Sequence, residues 1–404
     1  SVLAAASVVV TLVAAGMMPL LGAMVDFSPH RRTVGAYTAA VIVVLNACQT
    51  TISLPTWALL WVAKIVSDLL LVVHNVVTLA YLQNLTTDSH VLATYTTRFT
   101  ILHFCGTITY VLVVVAIAKH LGGDKVTTAR FATLISSTVG FVMLGYAWKF
   151  LFGNRPPLHR LKPGESLVRK GMSKLRVSVK LVWSNYPALK WLLLTLLWSP
   201  DPGHGQMLSL IITFETEFLK MTASQIAMFQ LLILIFTIPG GFISRYVCQK
   251  YNALTSFRVS ILSWASITAL GVSIVSGPED VPYFYMCGVL WGVCLGWLIP
   301  TQRVLFCTIV PVGQETEFMG LILCFHVMLG WLPPLLFGFM NESGFSMRFG
   351  LLSSDAFFIL AVITSIGIGD YNMAVQQARD TKRFEDSSTL DTAILDRNQR
   401  SEII

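Results

Sequence analysis

The sequence carries little charge for its length. Asp, Glu, Lys and Arg make up 12% of its 404 residues, which is about half the share found in soluble domains. Hydrophobic residues make up 54% and fall into blocks of roughly twenty, the length that spans a bilayer as a helix. Such blocks are too long for the strands of a transmembrane barrel. The composition therefore predicts an all-α membrane protein with many spans.

Motifs of enzymes and metal centres are also missing. The sequence contains no G-x-S-x-G, no H-E-x-x-H and no G-x-x-x-x-G-K-[ST]. Its seven cysteines form no C-x-x-C pair, and its histidines fall in separate segments. We therefore expect no catalytic residues, no metal site, no cofactor and no disulfide framework.

A long basic segment separates two sets of apolar blocks. From Lys149 to Lys190 the chain has ten basic residues and one acidic residue. Because cytoplasmic loops are enriched in Lys and Arg, we expect this segment to be cytoplasmic rather than to bind nucleic acid. With that orientation 22 basic residues face the cytoplasm, five lie in the opposite loops, and Lys64 lies within a span.

The apolar blocks predict eleven spans. Those before the basic segment cover roughly 1–25, 33–50, 57–83, 98–118 and 128–151. Those after it cover roughly 188–214, 222–246, 255–276, 283–309, 317–340 and 347–369. Since many transporters consist of two equal halves, we expect two pseudo-symmetric six-helix bundles with the first helix missing from this sequence.

This frame predicts four regions. The N-terminal bundle, with helices 2–6, covers 1–152, and the C-terminal bundle, with helices 7–12, covers 188–370. A basic cytoplasmic loop covers 153–187 between them. The polar residues 371–404 predict a disordered cytoplasmic tail.

A short motif recurs at the cytoplasmic end of one span in each half. A glycine precedes a charged residue by four positions at the membrane edge, and further basic residues follow. Glycine allows another helix to approach closely, and the charge can pair with a neighbouring helix end. The motif resembles the loop signature of the major facilitator superfamily. It predicts structural or gating roles for Gly22, Asp26, Arg31, Arg32, Gly241 and Arg245.

A second resemblance is more specific. Residues 311–320 read P-V-G-Q-E-T-E-F-M-G, and residues 330–338 read G-W-L-P-P-L-L-F-G. Both resemble the signature of the vacuolar effluxer family, autophagy-associated amino-acid exporters of the major facilitator superfamily. Pro333 stands where that family often has a glycine. Glu315 and Glu317 of this signature lie at the cytoplasmic edge, where acids stabilise a helix N-terminus, and we predict a gating or structural role for both.

Ionisable residues inside spans are candidate transport residues, because each costs at least a few kcal/mol in the membrane unless it is paired or hydrated. Lys64 and Asp68 are four positions apart on one helix, so they can form an ion pair. The pair either lines a substrate cavity or fills the bundle permanently. His74 on the same helix either relays a proton or is a buried structural residue. His326 is a further candidate.

One predicted span is interrupted by S-P-D-P-G-H-G-Q at 199–206. Prolines break a helix, and unwound backbone near the midplane binds substrate in many transporters. The segment also resembles an Asp-Gly pair common in vacuolar effluxers. We predict that Asp201 and His204 contact the substrate, with a simple hinge as the alternative. Glu215 and Glu217 end this span on the outer face, and we expect both to be solvated.

The resemblance implies a secondary transporter that exports amino acids from a vacuole or lysosome-like compartment to the cytosol by alternating access, linked to autophagic recycling. The expected partners are a small-molecule substrate and the lipid bilayer, with no nucleic acid, and coupling to protons is left open. Two alternatives remain. One is a major facilitator for another small solute, such as a sugar, drug or lipid. The other is a non-transporting membrane scaffold or sensor, which the charged and broken spans disfavour.

Overall fold

The computed structural model describes residues 31–53, 55–83, 88–120, 125–153, 179–199, 206–310 and 315–379, with the single residues 13, 86 and 176. These residues form helices joined by short turns, and none of them lies in a strand. Eight helices among them are long and apolar enough to cross a membrane. The predicted helical membrane fold is therefore confirmed, and the count of eleven spans stays a prediction.

Within residues 31–146, the described part of the chain forms four α-helices. They are α1 (Arg31–Cys48), α2 (Trp57–Gln83), α3 (Ser89–His120) and α4 (Lys125–Tyr146). A π-helical turn, Ala147–Leu151, extends α4 towards the basic segment. The predicted span 98–118 began too late, because Asp88 accepts a hydrogen bond of 2.8 Å from the His90 backbone N–H and so caps α3 at its start.

Among the described residues, nine α-helices begin at Pro187 or later. They are α5 (Pro187–Trp198), α6 (Gln206–Thr213), α7 (Ala223–Lys250), α8 (Ala253–Ile274), α9 (Val281–Ile309), α10 (Glu315–Met328), α11 (Leu332–Glu342), α12 (Met347–Ile366) and α13 (371–379). A π-helical turn, Phe214–Phe218, extends α6. Together α5 to α13 share one large apolar core.

Glycine sets the distance between α7 and α9. A Cβ added at Gly296 of α9 would lie 2.6 Å from the Thr237 carbonyl carbon of α7. A Cβ added at Gly240 of α7 would lie 2.9 Å from the Trp297 backbone nitrogen of α9. Both distances are well below an ordinary contact of 3.4 Å. The two helices therefore pack backbone against backbone, as membrane helices with small interface residues do.

The N-terminal bundle is joined at one end around Trp148. The indole fills the space that a side chain at Gly35 would need, since a Cβ there would lie 2.6 Å from Trp148 Cζ3. The ring stacks on Phe152 at 4.3 Å between centroids and meets Tyr81 edge-on at 6.2 Å. These aromatic contacts join α1, α2 and the end of α4.

The predicted span 317–340 is wrong as a single helix. It divides into α10 and α11 at a turn of residues 329–331. Pro333 and Pro334 follow at once and occupy the first turn of α11. A proline ring collides with the carbonyl four residues earlier but fits the first turn of a helix. The proline pair therefore starts a new helix instead of continuing α10.

The prediction of a disordered tail over 371–404 is wrong for its first residues, because α13 is ordered against the bundle. Asp370 caps it by accepting a 2.9 Å hydrogen bond from the Met373 backbone N–H. The Tyr371 hydroxyl donates a 3.1 Å hydrogen bond to Thr308 Oγ1 of α9. Ala374 and Ala378 are buried on the same face. Residues 380–404 lie outside the described residues.

The predicted loop 153–187 is also partly helical. Residues 179–185 form a short helix just before α5, and Val182 on it is fully buried in the core. The Asn185 carbonyl accepts a hydrogen bond of 3.3 Å from Gln377 of α13. The end of the basic segment therefore packs onto the C-terminal bundle.

Candidate functional site: the interface between the bundles

Among the described helices, the two bundles meet mainly along α3. This helix of the N-terminal bundle packs against α7 and α9 of the C-terminal bundle, and α2 makes a smaller contact with α10. Thr97 and Thr100 of α3 lie in the larger contact and are almost fully buried. A row of polar side chains runs along this contact.

Arg303 of α9 crosses from one bundle to the other. Its Nη1 donates a 3.1 Å hydrogen bond to Thr100 Oγ1. Its guanidinium carbon lies 4.7 Å from the centre of the Phe99 ring, a cation–π distance. The side chain thus holds two neighbouring residues of α3 through one hydrogen bond and one ring contact.

Two further hydrogen bonds join α3 to α7. The Thr97 hydroxyl donates to the Gly241 carbonyl at 3.4 Å. Gln249 Nε2 donates to the His90 carbonyl at 3.3 Å and to Thr94 Oγ1 at 3.2 Å. A Cβ at Gly241 would lie 3.2 Å from Ile101 Cγ1. Gly241, predicted from the repeated motif, therefore lies in the contact between the bundles.

These contacts all lie on one side of the molecule. We call it the loop side, the side on which α4 ends and α5 begins, next to the basic segment. His90 is near the start of α3 and Gln249 near the end of α7, both on the loop side. In the second half of α3, Leu112 and Val115 are 50% and 48% exposed. Among the described helices, the bundles therefore meet on the loop side and leave the far half of α3 uncovered.

Lys64 and Asp68 form the predicted ion pair on α2. Their side chains remain 54% and 38% exposed. An ion pair that fills a bundle permanently would be buried on both sides, so this exposure disfavours that alternative, and the cavity-lining role stays a prediction. Neither residue contributes to the contacts along α3.

His74 is buried inside the N-terminal bundle. Its Nδ1 lies 3.2 Å from Thr38 Oγ1. Because that hydroxyl donates to the Gly35 carbonyl at 2.9 Å, it accepts from the histidine, which places the proton on Nδ1. The imidazole also meets the Trp148 ring edge-on at 5.5 Å. This environment is that of a packed structural histidine.

Arg31 and Arg32 lie at the loop-side end of α1. The Arg31 guanidinium carbon is 4.8 Å from the centre of the Tyr81 ring. Arg32 donates from Nε and Nη2 to the Trp148 carbonyl at 3.1 and 3.0 Å. The two arginines thus hold α1 against the ends of α2 and α4, as cations at helix C-termini do.

The other described residues that we predicted from sequence lie on separate helices. Arg245 is half-buried one turn beyond Gly241 on α7. His326 of α10 is buried, with its ring 6.3 Å from that of Phe306. Glu315 and Glu317 belong to the first turn of α10. Four predicted residues lie outside the described residues, namely Gly22, Asp26, Asp201 and His204.

The expectation for Glu215 is wrong. Its side chain is fully buried, whereas the Glu217 side chain is 60% exposed and lies 3.8 Å from Lys220. The reason is the π-helical turn at the end of α6, which directs neighbouring positions differently from a regular helix.

Sequence reasoning also missed the α3 contact. The threonines at 94, 97 and 100 could have predicted this contact, because they lie three positions apart and so share one helix face.

A family model described as "Vacuole effluxer Atg22 like" matches residues 86–379. The chain belongs to this family. Autophagy-related protein 22 of Kluyveromyces lactis is 25% identical over 178 residues, which are 42% of this chain and 36% of that relative. The protein of the same name from Vanderwaltozyma polyspora is 26% identical over 161 residues, 38% of this chain and 31% of the relative. The match therefore spans about a third of the length of these curated relatives.

Solved structures show the same fold. The proton:xylose symporter XylE has a TM-score of 0.65 at 12% identity, covering 88% of this chain and 84% of that one. The human organic anion transporter MFSD10 also has a TM-score of 0.65 at 12% identity, covering 90% and 83%. A bacterial homologue of ferroportin has a TM-score of 0.60 at 13% identity, covering 90% and 89%. At these identities the likeness establishes the fold alone, that of the major facilitator superfamily.

The family and the fold agree on the class of protein. The chain is a multi-pass protein of the vacuolar membrane with the fold of small-molecule transporters. The predicted family, the helical major facilitator fold and the location in the vacuolar membrane are therefore confirmed.

Proposed function

We propose that this chain exports amino acids from the vacuole to the cytosol by alternating access. The observation that carries this proposal is the one-sided contact between the bundles. Polar side chains join α3 to α7 and α9 on the loop side, whereas Leu112 and Val115 further along α3 stay half exposed. Transporters of this architecture rock two bundles about a central site, so that only one side is closed at a time.

The orientation of the molecule follows from its charge. Since the predicted cytoplasmic segments hold 22 of the 28 basic residues, we assign the loop side to the cytosol. In this proposal the described contact closes the cytosolic side, and the conformation is the one that opens towards the vacuole lumen. In that state the transporter would load substrate from the lumen.

The segment between α5 and α6 is the proposed substrate site. The described helix α5 ends at Trp198 and α6 begins at Gln206. The Ser199 hydroxyl at this end is fully buried and has no hydrogen-bond partner among the described residues. An amino acid needs an anion for its ammonium group and N–H donors for its carboxylate. We propose that the Asp201 carboxylate accepts from the ammonium group and that backbone N–H groups next to it donate to the carboxylate of the substrate.

Transport by the reconstituted protein tests this function. Purified protein in liposomes would be loaded with a panel of labelled amino acids, and exchange would be compared with that of Asp201→Asn and of the exposed control Glu217→Gln. We expect exchange of at least one amino acid, a loss of at least tenfold in affinity for Asp201→Asn, and wild-type behaviour for Glu217→Gln. Exchange of sugars, drugs or lipids alone would favour another facilitator, and a well-folded protein that exchanges nothing would favour a scaffold or sensor.

A further inference from the structure

A buried acid lies at the end of the molecule away from the loop side. Glu215 follows α6 in the π-helical turn Phe214–Phe218. Its side chain is fully buried, and neither carboxylate oxygen has a hydrogen-bond partner among the described residues. No described basic side chain forms a salt bridge with it. Glu217, two residues later, is exposed and instead forms an ion pair with Lys220, which is also exposed.

Phe214, the residue before Glu215, packs among aromatic rings. The Phe214 ring stacks on Phe218 at 4.8 Å and lies 5.6 Å from Phe284 of α9. The described polar groups that act on Glu215 or respond to its charge include the Gln230 carboxamide of α7 and the Tyr285 hydroxyl of α9. That hydroxyl already donates to the Gln225 carbonyl at 2.9 Å. Gln230 Nε2 is buried and, like the Glu215 oxygens, has no hydrogen-bond partner among the described residues.

Charged groups on the described elements nearby have other partners or are exposed, except Asp355 of α12, which is buried and has no hydrogen-bond partner among the described residues. On α12, Arg348 Nε donates to the Val272 carbonyl at 2.8 Å. Before α9, Asp280 Oδ2 accepts from the Ser276 backbone N–H at 2.7 Å, and Glu279 beside it is exposed. An ionised carboxylate buried without a partner costs several kcal/mol, so it takes up a proton instead. Burial accordingly raises the pKa of Glu215 to about 8, against a smaller opposing effect of Gln230.

We propose that Glu215 is a proton-binding residue of this transporter. It holds a proton in the conformation described here, and it releases that proton to water when the change of conformation hydrates the carboxylate. The O–H bond breaks, the carboxylate keeps the electron pair, and water accepts the proton. This inference rests on the proposed function and names the proton as its coupling ion.

The first test separates coupling from transport. Glu215→Gln, which imitates the protonated acid, would be compared in liposomes with the matched control Glu217→Gln. We expect Glu215→Gln to exchange amino acids at the wild-type rate without a pH gradient, and to lose the accumulation that a gradient drives. The control should keep both. If wild-type protein exchanges nothing, the proposed function fails. If Glu215→Gln still accumulates substrate, or if the wild type exchanges but never responds to the gradient, the proton site is refuted.

The second test needs no substrate. A carboxyl whose pKa is raised on folding stabilises the folded protein fully below its ordinary value of 4.5, and this stability is lost as the pH rises to about 8. The melting temperature of the wild type should therefore fall between pH 5 and pH 8 by more than that of Glu215→Gln. Parallel curves for the two proteins would overturn the inference, whatever the transport assay shows.

Discussion

Replacing Gly296 by alanine tests the packing that holds the C-terminal bundle together. Gly296 lies in the middle of α9, opposite Thr237 of α7. The added Cβ would lie 2.6 Å from the Thr237 carbonyl carbon and 2.7 Å from its Cα. These neighbours are backbone atoms, so no side-chain rotation can relieve the collision. The two helices would have to separate.

The size of the effect follows from these distances. Ordinary contact begins at 3.4 Å, and the Thr237 carbonyl oxygen lies still closer to the added Cβ than the carbonyl carbon at 2.6 Å, so the helices must part by more than 3.4 − 2.6 = 0.8 Å at this point. Overpacking of this kind costs about 1–3 kcal/mol, and alanine regains about 1 kcal/mol through its higher helix propensity. The backbone contact places the cost at the upper end, so we expect a net loss of about 2 kcal/mol.

Thermal unfolding in detergent, followed by tryptophan fluorescence, measures this loss. For a domain of this size about 1 kcal/mol corresponds to about 2–4 °C, so Gly296→Ala should lower the melting temperature by about 4–8 °C. Gly338→Ala on α11 is the matched control, since a Cβ there meets nothing within 4 Å, and it should leave the temperature unchanged or raise it. An unchanged melting temperature for Gly296→Ala would refute the backbone-to-backbone packing of α7 and α9.

Three other expectations concern the bundle interface, the Lys64–Asp68 pair and the orientation of the basic loop. Gly241→Leu should wedge α3 away from α7 on the loop side and raise cysteine labelling at Thr97→Cys several-fold, whereas Phe242→Leu, at an exposed position, should not. Lys64→Met and Asp68→Asn, made singly and together, should show a coupling energy of about 0.3–0.5 kcal/mol, as for a hydrated pair; several kcal/mol would place the pair against lipid. A cysteine at Lys162 should be labelled from the cytosolic side alone, and labelling from the lumen would reverse the proposed orientation.

Much of the fold could be predicted because hydropathy reports bilayer solvation directly. The span at 57–83 coincides with α2, since every apolar residue in a span must face lipid or protein. The signature around Glu315 identified the family for a related reason, as it requires many residues of fixed type at fixed spacing. Such signals are local, and they need no knowledge of which helices pack together.

The predictions from sequence were wrong where tertiary packing determines the local structure. Hydropathy cannot distinguish one continuous helix over 317–340 from two helices joined by a turn before Pro333, since both sides of the turn are equally apolar. Glu215 and Glu217 look alike in sequence, and only the π-helical turn buries one of them. The sequence of α13 predicts a polar tail because its alanines contribute little to the average hydropathy. Ala374 and Ala378 are nevertheless buried. Each of these features depends on a partner distant in sequence.

The two kinds of helix contact indicate which parts of the molecule move together. Within the C-terminal bundle, α7 and α9 touch backbone to backbone at Gly240 and Gly296, and separating them would open gaps along both helices. Between the bundles, α3 is held by single side-chain bonds such as Thr97 to the Gly241 carbonyl, each worth about 1 kcal/mol. Because water can replace such bonds one at a time, the bundle interface is the weaker contact. We therefore expect the C-terminal bundle to move as one body, with α3 as the surface from which it separates.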